Sequence, residues 1–489
     1  MDDPERERED LARRRLDVEY DRDREELLVR DLREDLLRRE IELERLLEPE
    51  DEEEFRERER EALRRLSFPF VRILEREDEL SESESESEFE EEDELSESED
   101  LSPMFNNQND LYMLPSDNQE FERLQKQHYA FVLTAGGLTP CQDLVESILR
   151  PSDNGEPRSV LDLGCGSGIW AIEMAREYPN ASIVALDLAP APIDAENIPP
   201  NCRFEIDDIN LGLSHYHGDS RFDVIHARCI GSGINNYANM MRDVEACLKP
   251  GGLVIFIDGD MRMYEEDCVT PVPVGQEDEN GVEIGKGSWL HRIAREVRYA
   301  AIYKGSDVPG LEDCIDLGLF GHPLLEPSSI RAATMYTPIG SWPESSNDSE
   351  QQNLRYAGSL MRQDLMQVSR AWHPILKLYG IDQVTLNRWS ERVDKELLEC
   401  KFKMLMHWRA TWGRRKLDDF DTQPTVAPSS HGVKEPSTSS GGPPHAYNFF
   451  RTFTTAQEAS AFRELRTEKA KHLPLPLVVK MYEEAQNAV

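Results

Sequence analysis

Leucines at 28, 32, 36, 43 and 47 recur at helical spacing among Arg and Glu residues that can pair four apart. Neither proline nor glycine interrupts the chain between Pro4 and Pro49, so one charged helix of about 65 Å is expected there. It reads as a partner-binding arm or as a solvated helix. The run SESESESEFEEEDELSESED (81–100) has no apolar periodicity and reads as a disordered spacer. From about residue 110 the pattern changes. Helical periodicity over 118–132 precedes an apolar run at 159–163, and further buried-strand patterns follow at ASIVALDL (181–188), CRFEID (202–207), FDVIHAR (222–228) and LVIFID (253–258). NMMRDVEACLKPGG reads as a helix stopped by Pro250-Gly251-Gly252, and strands at 333–343 and 403–412, the second after a helix at 384–399, complete the alternation. Such alternation predicts a doubly wound, Rossmann-like α/β sheet of seven strands.

Four segments follow: a charged helical arm (1–66), an acidic disordered linker (67–109), an α/β domain (110–417), and a Pro/Ser/Gly-rich linker with a short helix at its end (418–489). The net charge is −41, and residues 1–100 hold 43 Asp and Glu against 19 Arg and no Lys. That balance disfavours direct binding of nucleic acid or an anionic membrane. The eight cysteines form no C-x-x-C pair, which suits a reducing compartment better than a zinc site or a disulfide framework. With no signal-like start and no apolar run long enough to span a membrane, an intracellular setting, cytoplasmic or nuclear, is expected.

The chemistry concentrates in SVLDLGCGSGIWAIEMAREYPNASIVALDLAP (159–190). A dinucleotide loop carries glycines at positions 1, 3 and 6, whereas Gly164, Gly166 and Gly168 stand at 1, 3 and 5 with Ile169 in the sixth place. That is a poor pyrophosphate cradle. It suits a nucleoside joined to an amino acid, with the glycines leaving room beneath the ligand. Asp162 can meet an ammonium group, directly or through water, and Asp187 stands where a carboxylate can accept from two ribose hydroxyls. The ligand so described is S-adenosylmethionine. Alternatively, the loop is a tight turn and Asp187 a helix cap. Trp170 reads as core or as a cofactor contact.

These motifs resemble the class I S-adenosylmethionine-dependent methyltransferases, and within them the fungal branch of secondary-metabolism regulators (LaeA-like). The resemblance spans roughly 110–417. It is carried by YMLPSDNQEFERLQKQHYAFVLTAGGL (112–138) as leader, the glycine and second-strand motifs, PPNCRFEIDDIN, FDVIHARCI, CLKPGGLVIF, PIGSWP and DKELLEC. It implies that Asp207 or Asp208, together with Ile209, meets the adenine.

Acceptor-side residues are expected beyond the fourth strand. There His226 is a candidate general base or a buried structural histidine, and Arg228 orients an acidic substrate or pairs with a nearby carboxylate. The Asn/Asp-Pro-Pro-Tyr/Phe signature of many amino-group methyltransferases is absent. The stretch 259–330, with the acidic loop VGQEDENG and the amphipathic SWLHRIAREVRYAAIY, occupies the usual place of a substrate lid. Three functions compete: a methyltransferase for a small-molecule or protein acceptor, a regulatory or scaffold protein that binds the cofactor with weak or no catalysis, and a NAD-dependent oxidoreductase, which the glycine order disfavours.

Overall fold

Strands at the centre of a parallel sheet are covered on both faces, so their apolar side chains must divide between two layers. Val160, Ile183, Val224 and Leu253 enter one core, while their neighbours Leu161, Val184, Ile225 and Val254 enter the other. In the computed structural model, which describes residues 106, 108–151, 155–218, 222–345, 347–417 and 449–487, these residues belong to one eight-stranded sheet. The charged arm, nearly all of the acidic linker and the Pro/Ser/Gly-rich stretch lie outside the described residues.

The strands are β1 (Arg158–Leu163), β2 (Ala181–Asp187), β3 (Cys202–Ile206), β4 (Phe222–Arg228), β5 (Leu248–Tyr264), β6 (Arg331–Ile339), β7 (Met404–Arg414) and β8 (Phe450–Phe453). Their order is β3-β2-β1-β4-β5-β7-β6-β8. The first five run parallel, and β7, β6 and β8 join antiparallel.

One face carries helices α1 (Asn118–Ala135), α2 (Gln142–Leu149) and α3 (Ile169–Glu177), through residues such as Phe131, Val145 and Trp170. The other carries α4 (Tyr237–Cys247) and, later in the chain, α6 (Val308–Asp316). Returning to the first face are α5 (Trp289–Lys304), α7 (Asp348–Ala371), α8 (His373–Leu378) and α9 (Gln383–Leu398). After β8 come α10 (Ala456–Ala470) and α11 (Leu477–Asn487).

Three expectations change. The sheet has eight strands, because the four-residue β8 pairs Ala332↔Phe453 through Met335↔Phe450 along the edge of β6. So short a strand, remote in the chain from its partner, leaves no periodic pattern to read. The single C-terminal helix becomes two, and Glu296 on α5 caps the second by accepting from the Leu477 and Val478 amides at 2.7 and 2.8 Å. The fourth helix ends at Cys247, not at Pro250: a proline disfavours helical backbone in the residue before it, and β5 already begins at Leu248.

Candidate cofactor site

In a doubly wound sheet, ligands gather beyond the carboxyl ends of the strands. A cavity of about 860 Å3 lies there, lined by Asp162, Gly164, Gly166, Asp187, Asp207, Asp208, Ile209, His226 and Arg228. Nine of the ten residues singled out in the sequence therefore share one wall. Gly168 does not line it. It sits at the N-cap of α3 with φ 76°, and a Cβ there would come within 2.6 Å of Phe204 and 2.8 Å of Ile193. At Gly164 (φ +73°) a Cβ would meet the Ile230 side chain at 2.3 Å. Left-handed backbone and close protein neighbours thus require these two glycines, more directly than ligand space does.

Asp187 ends β2 and accepts from the Gly166 amide at 2.7 Å and the Ala189 amide at 3.2 Å. Burial pushes its carboxyl pKa up, and these backbone donors oppose the rise. The same side chain therefore braces the glycine loop and faces the cavity. Asp208 is buried, and its Oδ1 accepts from the Asn210 amide at 2.9 Å and from Asn109 Nδ2 at 3.4 Å. Half-buried Asp207 accepts from the Asp208 amide at 2.8 Å.

The strand register decides the fate of His226. It stands opposite Asp162 on the adjacent parallel strand, on the same face. Its Nδ1 donates to Asp162 Oδ1 at 2.8 Å, and Trp170 stacks on its ring at 3.8 Å with planes 10° apart. Burial lowers its pKa, so the imidazole is neutral, with Nδ1 carrying the proton and Nε2 left as a shielded acceptor without a hydrogen-bond partner among the described residues. Trp170 is both core and cavity wall, and its indole NH is spent on the Leu138 carbonyl at 2.9 Å. Arg228, two residues on, bonds through Nη2 to His128 Nδ1 at 3.0 Å and lies 5.0 Å over the Phe131 ring. His128 passes the contact on to Glu173 at 2.8 Å. Among the described residues Arg228 Nη1 has no hydrogen-bond partner, and burial pulls the guanidinium pKa down.

Sequence reading passed over several wall residues. Asn109, Tyr112, Leu124 and Gln127 reach the cavity from the leader and α1, and Ile230, Gly233 and Ile234 come from the segment after β4. Asn109 Nδ2 also reaches the Gly233 carbonyl at 3.0 Å, tying the leader across the site. The leader motif was a signal for this, but only folding shows which of its residues face inward. The acidic loop within the stretch 259–330 is anchored to α9. Glu277 accepts from Arg388 Nε at 3.0 Å and Arg392 Nη1 at 2.7 Å, and these contacts hold its carboxyl at about 2.

The donor set distinguishes between ligands. Four carboxylates (Asp162, Asp187, Asp207, Asp208) face the cavity against one guanidinium, Arg228. Such a wall repels a pyrophosphate and attracts a cation, as a sulfonium joined to an α-amino group provides. These residues fit S-adenosylmethionine and do not fit a dinucleotide.

Residues 134–303 match the family model described as a methyltransferase domain. The secondary metabolism regulator laeA of Coprinopsis cinerea is 41% identical over 158 residues, covering 32% of this chain and 37% of that protein. The protein-methionine methyltransferase laeA of Emericella nidulans is 35% identical over 141 residues, covering 29% and 34%. The chain thus spans little more than a third of the length of these relatives. A solved S-adenosylmethionine-dependent methyltransferase from Geobacter sulfurreducens, in complex with S-adenosyl-L-homocysteine, aligns over 59% of this chain and 98% of its own, with 15% identity and a TM-score of 0.28. Residues 134–303 thus match a methyltransferase domain and lie on a Rossmann-like sheet, in a chain that is similar over that stretch to the fungal LaeA-like branch.

Proposed function

We propose that the chain transfers a methyl group from S-adenosylmethionine to a small-molecule or protein acceptor. The observation that carries this reading is the acid-rich cavity at the ends of β1, β2 and β3, inside the matched domain. When bound, the cofactor supplies a methyl group on a positively charged sulfur, with a neutral thioether as leaving group. Asp162 holds the α-ammonium group, its position set by His226. Asp187 accepts from the ribose diol while keeping Gly166 in place, and Asp207 or Asp208 with Ile209 meets the adenine.

In the transfer, a lone pair on the acceptor forms the new bond to carbon, the carbon–sulfur bond breaks, and its electron pair stays on sulfur. Any proton the acceptor carried leaves to water. His226 is assigned to positioning: its protonated nitrogen is committed to Asp162 and the other is shielded. Arg228 is kept as a site residue, with its free Nη1 suited to a carboxylate of the cofactor or acceptor.

The methyl acceptor of the Emericella relative is, by its name, a protein methionine. For this chain a protein acceptor stands beside a small molecule. The charged arm at 1–66 is proposed as the place of a protein partner, supported by its leucine spacing. No helix among the described residues is long and apolar enough to cross a membrane. None of the eight cysteines is in a disulfide, which supports a reducing setting.

Calorimetric binding of S-adenosylmethionine, with NAD as control, tests the cofactor. Transfer of labelled methyl to candidate acceptors tests the activity. Tight binding with no transfer to any acceptor would leave the second reading, a regulatory protein that senses the cofactor.

A further inference from the structure

Beside the cofactor cavity, and sharing Tyr112, Leu124, Gln127 and Cys229 with it, lies a second cavity of about 1150 Å3. The leader, α1, β5, α5, α7, β7 and the start of α8 all contribute to its wall, which is predominantly apolar. Met263, Val368, Trp372, Ile375 and Trp408 are buried in it.

Both arginines in this wall are paired with carboxylates, and its aspartates accept from protein donors. Arg123 is bound by Glu120, at 2.8 Å through Nε, and by Asp364. Arg298 pairs with Glu312 at 2.9 Å. Asp258 accepts from the Gly231 and Gly259 amides at 2.9 and 2.8 Å. Tyr112 and Cys229 are held un-ionised by burial. An anion brought into such surroundings loses its hydration with no unpaired cation in the wall to meet it, and the predominantly apolar lining favours groups without charge.

We infer that this cavity is the acceptor chamber and takes an uncharged, lipophilic small molecule, whose methyl-accepting atom is presented at the neck between Tyr112, Gln127 and Cys229. Its role as acceptor chamber rests on the methyl-transfer reading, whereas the class of ligand rests on the wall alone.

The probe for this is N-phenyl-1-naphthylamine, an uncharged lipophilic fluorophore, titrated into the full-length chain and followed by its own emission and by energy transfer from the wall tryptophans Trp372 and Trp408. Saturable binding is expected. Ala301→Phe, which fills the chamber, should weaken it at least ten-fold while calorimetry shows S-adenosylmethionine affinity within three-fold of the parent. Should that variant not fold, Leu111→Trp at the half-exposed rim reads the same effect. Binding of S-adenosylmethionine without binding of the probe, or equal probe affinity in the folded filled variant, overturns the inference. So does tighter binding of the anionic 1-anilinonaphthalene-8-sulfonate at the same site. Probe binding that responds to the filled variant, in a chain that does not bind S-adenosylmethionine, overturns the methyltransferase reading and leaves the ligand class standing.

Discussion

The parallel half of the sheet, β1 to β5, and the antiparallel half, β7, β6 and β8, solve different problems with the same kind of strand. In the parallel half, the ends of β1 to β4 converge on one cavity, and acids cluster there: Asp162, Asp187, Asp207 and Asp208. Where β5 meets the antiparallel half, buried acids are engaged by protein partners instead. Asp260 accepts from Tyr264 Oη at 2.7 Å and stands 3.0 Å from His407 Nδ1 and 3.6 Å from Arg466 Nη1 on α10. The acids at the cavity are turned toward a ligand, whereas Asp260 is turned toward His407 and Arg466. Binding and stability are therefore expected to separate along the sheet.

The largest expected effect falls on the cluster around Asp260. Arg466→Ala removes one partner of a buried ionic cluster, and should cost about 3–5 kcal/mol in chemical denaturation. Affinity for S-adenosylmethionine should stay within about three-fold of the parent, since three-fold is only ~0.7 kcal/mol. A parallel collapse of affinity in the folded variant would show that the halves are coupled.

Gly166→Val should do the reverse. The residue has φ +55°, and a Cβ would approach Leu124 Cδ1 to 3.0 Å. Calorimetry should show at least about a 100-fold loss of cofactor affinity, or ~2.7 kcal/mol, with a much smaller change in stability. Unchanged affinity in the folded variant would remove the glycine loop from the site.

Asp187→Ala should weaken S-adenosylmethionine by about 30- to 100-fold, or 2–3 kcal/mol, the scale of hydrogen bonds to a charged group. Asp187→Asn should cost nearly as much. Both carboxylate oxygens accept backbone amides, and an amide side chain would turn its NH2 toward one of them. Equal weakening toward a cofactor analogue without ribose hydroxyls would assign the residue to bracing the loop alone.

Acid should act on stability through a buried neutral histidine on α5, away from the cofactor cavity. His291 Nδ1 lies 2.6 Å from the Val272 carbonyl, and burial, with Arg295 and Arg262 nearby, holds its pKa at about 3. Its folded pKa lies below the ordinary value, so the stability it contributes is complete above about 6.5 and is lost as pH falls toward 3. Between pH 7 and 5 the parent should lose about 2 kcal/mol more stability than His291→Asn. Identical pH dependence in the two proteins would show that His291 is not titrating in this way.

The smallest effect is expected from deleting residues 1–105, which should leave cofactor affinity within about three-fold, or ~0.7 kcal/mol. A folded truncation that no longer binds would place part of the arm in the site.

Periodicity and turn chemistry are local properties, and they determined much of the cofactor half: the apolar runs of β1 to β4, the three glycines and the acids at the strand ends. They also placed α1, α5 and α9 to within a few residues. What lies far apart in sequence was decided by packing. That His226 would meet Asp162, 64 residues away, follows from the register of β4 on β1 and from Trp170 closing over the ring. The unread helix α7 brings Asp364 to Arg123 across 241 residues, and so helps neutralise the second cavity. The edge strand β8 and the cap of α11 by Glu296 likewise exist only once the sheet is assembled. A glycine loop advertises its backbone because few residues tolerate left-handed φ, whereas an apolar cavity is made of the same residues as a core. Only their arrangement in space separates the two.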